Sequence, residues 1–324
     1  MRVAFTSCFS AQSFKQQPVW DQIGAANPEH LLLLGDSAYY DADGSSISMV
    51  KAMDPDPFAR HAMRRLRDQL NQPQFAKLVR RKGLHIHPIW DDHNFLWNGA
   101  CGAQVFEERL HAHLIPPTRA AFQAYRDALD AHEPATFPQP SDPWRSDIKE
   151  PGYRMIDIGN AANPVRLHLT DGRSYKTAGG KDAVLGAAQM NALASAIATS
   201  SEDTVHLVAS GLVFEANHGE TWMTCEAEHA KMLELARNRR ILILSGDVHE
   251  NRFAVPQPAG KWSLFEATSS GAALRTGVTI GALQCNWGLL ELTPENVVIE
   301  LSQLHMPPRK RVIDRRTWKL IPGP

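Results

Sequence analysis

A layered α/β protein with its chemistry at the ends of buried strands is the fold class this sequence predicts, on three observations. The aliphatic run Ile241 to Leu244 stops at Ser245-Gly246 and is followed at once by Asp247 and His249. His30 to Gly44 repeats that grammar, four leucines running into Gly35-Asp36 and then Tyr39 and Asp41. A third stretch, 85–98, ends in Asp91, Asp92 and His93. Unbroken aliphatic runs suit strands covered on both faces, and in open α/β sheets the functional groups collect at the carboxyl ends of such strands.

Taken in order, the chain enters a strand at Met1 to Phe5 that ends in Ser7-Cys8, and Ala11 to Asn27 reads as a loop and short helix on the sheet. Phe58 to Arg80 has helical composition and spacing with a break at Pro73, its arginines forming a solvated face. His85 and His87 alternate on the third strand and are read as strand histidines with satisfied hydrogen bonds. Residues 102–132 read as helices, and the prolines of about 133–150 mark a long surface excursion within a single domain spanning 1–324.

Tyr153 to Leu169 predicts a hairpin around 160–163 that delivers Asp171-Gly172-Arg173-Ser174-Tyr175. At its end Arg173 offers either a two-pronged phosphate clamp or a structural pair with an acid. Residues 183–199 form a small-residue helix, Val205 to Ala209 a strand, and 226–239 a helix that closes a β-α-β unit onto the Ile241 strand. Ser210, Asn217 and His218 are candidates to line the cleft, without a pattern that assigns them to substrate. Trp262 to Glu266, Trp287 to Leu292 and Val297 to Leu301 are expected to complete a second sheet, with Thr268 to Gly271 as a polar turn, and the basic 306–324 to be a solvated tail.

With 324 residues, 43% hydrophobic and 21% charged, the chain can bury a substantial core. Its net charge of -1 excludes a global polyanion-binding surface, and no nucleic-acid-binding module is evident. No apolar run approaches the length of a membrane span. The opening residues lack a secretory leader, so the expected location is cytoplasmic, or extracytoplasmic had a leader been removed. Cys8, Cys101, Cys225 and Cys285 are scattered, which argues against a disulfide scaffold or a structural zinc site. Of the four, only Cys8 lies at a strand end where a thiolate can reach a metal, the alternative there being a buried, inert cysteine.

Asp247 and His249, two apart in an extended stretch, face the same side as metal ligands do. Clustering Asp36, Asp91, Asp92 and Asp247 is costly at neutral pH unless cations sit between them, and three such strand ends are what a two-metal site requires.

The same residues carry a resemblance. Ser7-Cys8, Gly35-Asp36-Ser37-Ala38-Tyr39-Tyr40-Asp41, Trp90-Asp91-Asp92-His93, Asp171 to Tyr175 and Gly246-Asp247-Val248-His249 occur in the order of the alkaline phosphatase D (PhoD-like) branch of the metallophosphoesterases. Leu185-Gly186 with Gln189, and Glu266 to Ser270, extend the resemblance over nearly the whole chain. It implies a sandwich of two mixed β-sheets flanked by α-helices, with ferric iron (Fe3+) and calcium (Ca2+) at the strand ends. By that resemblance Cys8, Asp36, Tyr39 and His249 hold the iron, while Asp36, Asp92 and Asp247, joined by Asn98, hold the calcium, and Asp36 bridges.

The implied reaction is hydrolysis of a small or polymeric phosphate ester, monoester or diester. A metal-activated hydroxide attacks phosphorus, His93 protonates the leaving oxygen and Arg173 clamps phosphate. The sequence departs from the family at Asn94, where an acid commonly follows the histidine, and at Phe95-Leu96, where Tyr-Gly is common. Because an amide does not hold an imidazolium as a carboxylate does, Asn94 leaves a second reading, a metal- and phosphate-binding protein with weak or no catalysis.

Overall fold

The computed structural model describes residues 1–103, 105, 110–215, 220–256, 261–274 and 285–322. Its strands are β1 (Arg2–Thr6), β2 (His30–Leu34), β3 (His85–Ile89), β4 (Arg154–Asp157), β5 (Val165–Leu169), β6 (Val205–Ser210), β7 (Arg240–Ser245), β8 (Asn251–Ala254), β9 (Phe265–Ser269), β10 (Trp287–Leu292), β11 (Asn296–Gln303), β12 (Met306–Asp314) and β13 (Lys319–Ile321). They form a seven-stranded sheet, β13-β12-β11-β10-β1-β2-β3, and a six-stranded sheet, β4-β5-β6-β7-β9-β8. Both sheets are mixed. β1, β2 and β3 run parallel, as do β5, β6, β7 and β9, so the carboxyl ends of the motif strands gather at one end of each sheet.

The leucine runs are explained by two coverings. Alternate residues Val3, Phe5, Leu32, Leu34, Leu242 and Leu244 point into the layer between the sheets. Their neighbours Ala4, Leu31 and Leu33 face a helical layer that includes Pro55–Leu70 and Ile115–Asp130, while Ile241 and Ile243 face helices Ala187–Ala198 and Glu226–Ala236. Each fully buried Leu or Ile stabilises the fold by about 1.5–3 kcal/mol, so a strand with no polar face is the economical sequence for a sheet packed on both sides.

Pro73 does open a new helix, Pro73–Val79, directly after the one ending at Leu70. The expected hairpin pairs β4 with β5 around 160–163.

Three expectations are corrected. β10 and β11 do not complete the second sheet; β10 pairs antiparallel with β1, so the C-terminal strands extend the first. Thr268 and Ser269 are not a turn but the end of β9, where Ser245 and Asn251 satisfy their hydroxyls. Nor are the described residues of the expected tail, 306–322, loose. β12 pairs along its length with β11, and beyond it Trp318 is fully buried, its indole N–H donating to the Ser263 carbonyl at 2.9 Å. Arg309, Lys310 and Arg311 are exposed along the outer part of β12, and burial begins farther along the strand at Ile313.

Candidate metal centre

The loops leaving β1, β2, β3 and β7 meet at one point. Cys8, Asp36, Asp247 and His249 all have positive φ, from 49° to 69°, which turns each side chain back toward the strand ends instead of letting the chain run on. Non-glycine residues held there are strained, and such strain concentrates at functional sites. Gly35, at φ +98°, makes the turn into Asp36, and an added Cβ there would stand 2.4 Å from the Asp91 Cβ. Glycine is what lets β2 and β3 close to that distance.

Carboxylate oxygens of Asp36, Asp91, Asp92 and Asp247 lie within 4.8 Å of one another. Around Asp36, the Cys8 thiol is 3.4 Å and the Tyr39 hydroxyl 3.3 Å from Oδ2, and Tyr39 is 3.5 Å from His249 Nε2. Ser270 ties this group to the β7 loop, accepting the His249 N–H and donating to Cys8 Sγ at 3.2 Å. The cleft above, about 320 Å³, is lined by Asp92, Asn98, Gly99, Glu220, Asp247 and His249. Asn98 is exposed in it.

The electrostatics of the acids bear on what they can hold. Burial and neighbouring acids push Asp247 up to about 8, and burial, Cys8 and Asp92 push Asp36 well above the carboxylate range. Burial likewise pushes the Cys8 thiol up to about 11. Asp92 stays below the usual range because Arg173 and His93 outweigh its burial. Cations among these oxygens would let every acid ionise, so thiol, phenol, imidazole and carboxylates together fit metal binding. Asp91 Oδ2, buried without a donor, points the same way.

His93 stands beside the cluster, with its ring centroid 4.3 Å from that of Tyr39. Its Nδ1 is 2.6 Å from Asp41 Oδ1, and a carboxylate there accepts the Nδ1 proton, leaving Nε2 as the atom that exchanges one. Burial opposes charge on this ring, but the Asp41 hydrogen bond and the fields of Asp36 and Asp92 prevail and raise its pKa to about 10. The acid expected at position 94 is therefore supplied from the β2 loop. Asn94 has another task, its Oδ1 accepting the backbone N–H of Asp36 at 3.1 Å and of Asp91 at 2.8 Å, which pins the ends of β2 and β3 together.

Arg173 departs from the phosphate-clamp expectation. Its side chain is fully buried, with Nε 2.5 Å from Asp91, one amino group 2.7 Å from Glu220 and the other 3.7 Å from Asp92. The guanidinium hydrogen-bonds Asp91 and Glu220 and leaves the amino group nearest Asp92 without an acceptor, an arrangement that fits the structural alternative of the sequence reading. Ser210 also fails as a cleft liner; it is buried, donating to the Leu212 carbonyl and accepting from Trp222. Asn217 and His218 lie outside the described residues. Glu220, which holds both Arg173 and Lys176, gave no sequence signal.

Other motif residues are braces. Gln189 exchanges hydrogen bonds with the Asp171 backbone, and Glu266 accepts the Phe214 and Glu215 N–H groups and the Ser245 hydroxyl.

The sequence pattern of the PhoD-like phosphatases matches residues 3–272. The chain belongs to the PhoD-like phosphatase family. Among solved structures, that of PhoD is similar over 99% of this chain and 71% of its own, with a TM-score of 0.67 at 13% identity. A dimetal phosphatase from Danio rerio is similar over 96% and 98%, with a TM-score of 0.51 at 10% identity. No curated protein matches in sequence. At these identities the structural likeness shows the fold, two mixed sheets with flanking helices, and PhoD-like membership together with the acidic cluster supports a metal-dependent phosphoesterase. No helix among the described residues is long and apolar enough to cross a membrane.

Proposed function

We propose that this PhoD-like protein hydrolyses phosphate esters at a dinuclear centre. Cys8, Asp36, Tyr39 and His249 would hold ferric iron, and Asp36, Asp92, Asp247 and Asn98 would hold calcium. The carrying observation is the convergence of four aspartates within 4.8 Å beside the His93–Asp41 pair. When bound, the cations supply Lewis acidity, offsetting charge on phosphoryl oxygens and acidifying water for in-line attack.

The protein's own groups do the rest. His93 carries the proton for the leaving oxygen on Nε2, with Asp41 fixing the tautomer and ring plane. Arg173 holds Asp91 and Asp92 in place instead of touching phosphate. Glu220, on the cleft wall, anchors Arg173 and Lys176 buried behind it.

Asn94 was the reason to weigh a binding protein with weak catalysis, and Asp41 supplies the carboxylate that Asn94 lacks. The deciding experiment combines elemental analysis, a visible spectrum, and turnover of chromogenic phosphomonoesters and phosphodiesters. Hydrolysis by protein containing iron and calcium, with colour bleached in Tyr39→Phe, is the expected result. Metal-replete protein that binds phosphate but turns over neither ester class would select the binding reading; colourless active protein would remove iron.

A further inference from the structure

The opposite end of the six-stranded sheet carries the reverse charge. A cleft of about 470 Å³ opens there between the turns of both sheets, walled by Pro164, Asp203, Arg240, Pro294, Arg315 and Arg316. Arg240 is the first residue of β7, and Arg315 and Arg316 sit in the turn from β12 to β13. β7 spans six residues, so the cleft lies roughly 17 Å along the strand from the metal centre at about 3.3 Å per residue.

Arg240 and Arg315 are 6% and 5% exposed, which is rare for arginine without matching acids. Their partners are mostly neutral. Arg315 donates to the Thr293 and Pro164 carbonyls, and Arg240 to those of Glu202 and Arg316. These bonds fix the two guanidinium groups but bring no counter-charge.

Among the described cleft residues the one carboxylate is Asp203, 2.9 Å from Arg240 and 79% exposed, against three arginines. Arg240 Nε is buried without a hydrogen-bond acceptor, and burial, joined by the Arg240 charge, pulls Arg315 below the usual guanidinium range against the opposing field of Asp203. Locking the turns explains the carbonyl contacts, and the Trp262 ring, its centroid 4.8 Å from the Arg240 guanidinium carbon, covers one face of that group; neither brings a full counter-charge to two adjacent buried cations beside an open cleft. Buried charge is retained where something of opposite sign meets it, and arginine forks match tetrahedral oxyanions.

We propose that this cleft binds a small tetrahedral oxyanion, with the charge and size of sulfate or inorganic phosphate, at Arg240, Arg315 and Arg316. The anion supplements Asp203 as counter-ion and joins the β4–β5, β10–β11 and β12–β13 turns, stapling the two sheets at the end remote from the metals. Nothing in this depends on the hydrolase reading, since the acidic centre and the basic cleft are separate.

The test is calorimetric titration of the metal-loaded protein with sulfate and, separately, with inorganic phosphate, in wild type and two variants at exposed positions. Arg316→Glu should weaken sulfate binding about tenfold or more, and Asp203→Asn should tighten it several-fold, by removal of a competing charge. Crystals soaked in selenate should show anomalous density between Arg240 and Arg315. A response to phosphate but not sulfate would place binding at the metals and overturn the proposal. So would sulfate affinity unchanged in both variants, or selenate found only in the acidic cleft. Should Arg316→Glu fail to fold, Asp203→Asn with the selenate map decides alone.

Discussion

Replacing Asp41 by Asn separates proton delivery from metal binding. The substitution keeps the size of the side chain but removes the carboxylate whose Oδ1 is 2.6 Å from His93 Nδ1, while Oδ2 accepts the Asn98 backbone N–H at 2.8 Å. An amide nitrogen turned toward Nδ1 meets a donor, so the ring loses its fixed tautomer. Hydrogen bonds to charged groups contribute about 1.5–3 kcal/mol, which at about 1.36 kcal/mol per decade is a rate loss of roughly 10- to 100-fold. That loss belongs to the step in which the leaving oxygen takes a proton. Turnover measured across esters of phenols with rising pKa should therefore fall fully for phenyl and alkyl esters and change little for p-nitrophenyl, whose anion leaves unaided. Iron and calcium contents should match wild type. Equal losses for every leaving group, with metal retained, would refute the assignment, since a displaced Asn98 loop or a general distortion does not read leaving-group basicity.

Three further outcomes follow from the packing. Arg173→Met leaves Asp91 and Glu220 without their buried partner and should cost about 3–5 kcal/mol in denaturant unfolding; a change within experimental error would show that the acids are compensated elsewhere. Gly35→Ala meets both a φ of +98° and the Asp91 side chain, so a destabilisation of about 1–3 kcal/mol with loss of bound metal is expected, and a stable, fully metallated variant would contradict the close-approach argument. His168 and His206 hydrogen-bond each other at 2.9 Å, and burial holds them neutral, down to about 2 and about 3. Their folded values lie below the unfolded value, so the stability they allow is complete above about pH 6.5 and falls with acidification as the unfolded chain takes up protons, by up to about 1.4 kcal/mol per pH unit for each ring. The His168→Gln, His206→Gln double variant should flatten unfolding free energy between pH 6.5 and 5; an unchanged slope would assign the acid sensitivity to other groups.

Much of the candidate site was legible because local sequence dictates it. Aliphatic runs ending at Gly-Asp or Asp-Asp announce where strands stop and what they present, and period-two alternation needs no partner to be read. The order of Cys8, Asp36, Tyr39, Asp92, Asp247 and His249 carried the family resemblance for the same reason. Asp41 stood in view as one more acid after a strand, yet its pairing with His93 depends on a turn that brings the β2 loop over the end of β3.

What only the tertiary structure decided are contacts whose energy is shared between distant segments. Arg173 read equally well as clamp or brace until Asp91 and Glu220 were seen to enclose it. Glu220 lies in a loop without periodicity. β10 and β11 are strands by their own pattern, but their place beside β1 is set by packing across nearly the whole chain length. The basic run of β12 looked like a solvated tail because charge alone does not reveal that Ile313 and Trp318 anchor it. Sequence thus determined the elements and the chemical inventory at their ends, through interactions a few residues long. Distances between those ends, and hence which acid meets which cation, were fixed by burial of two sheets against each other.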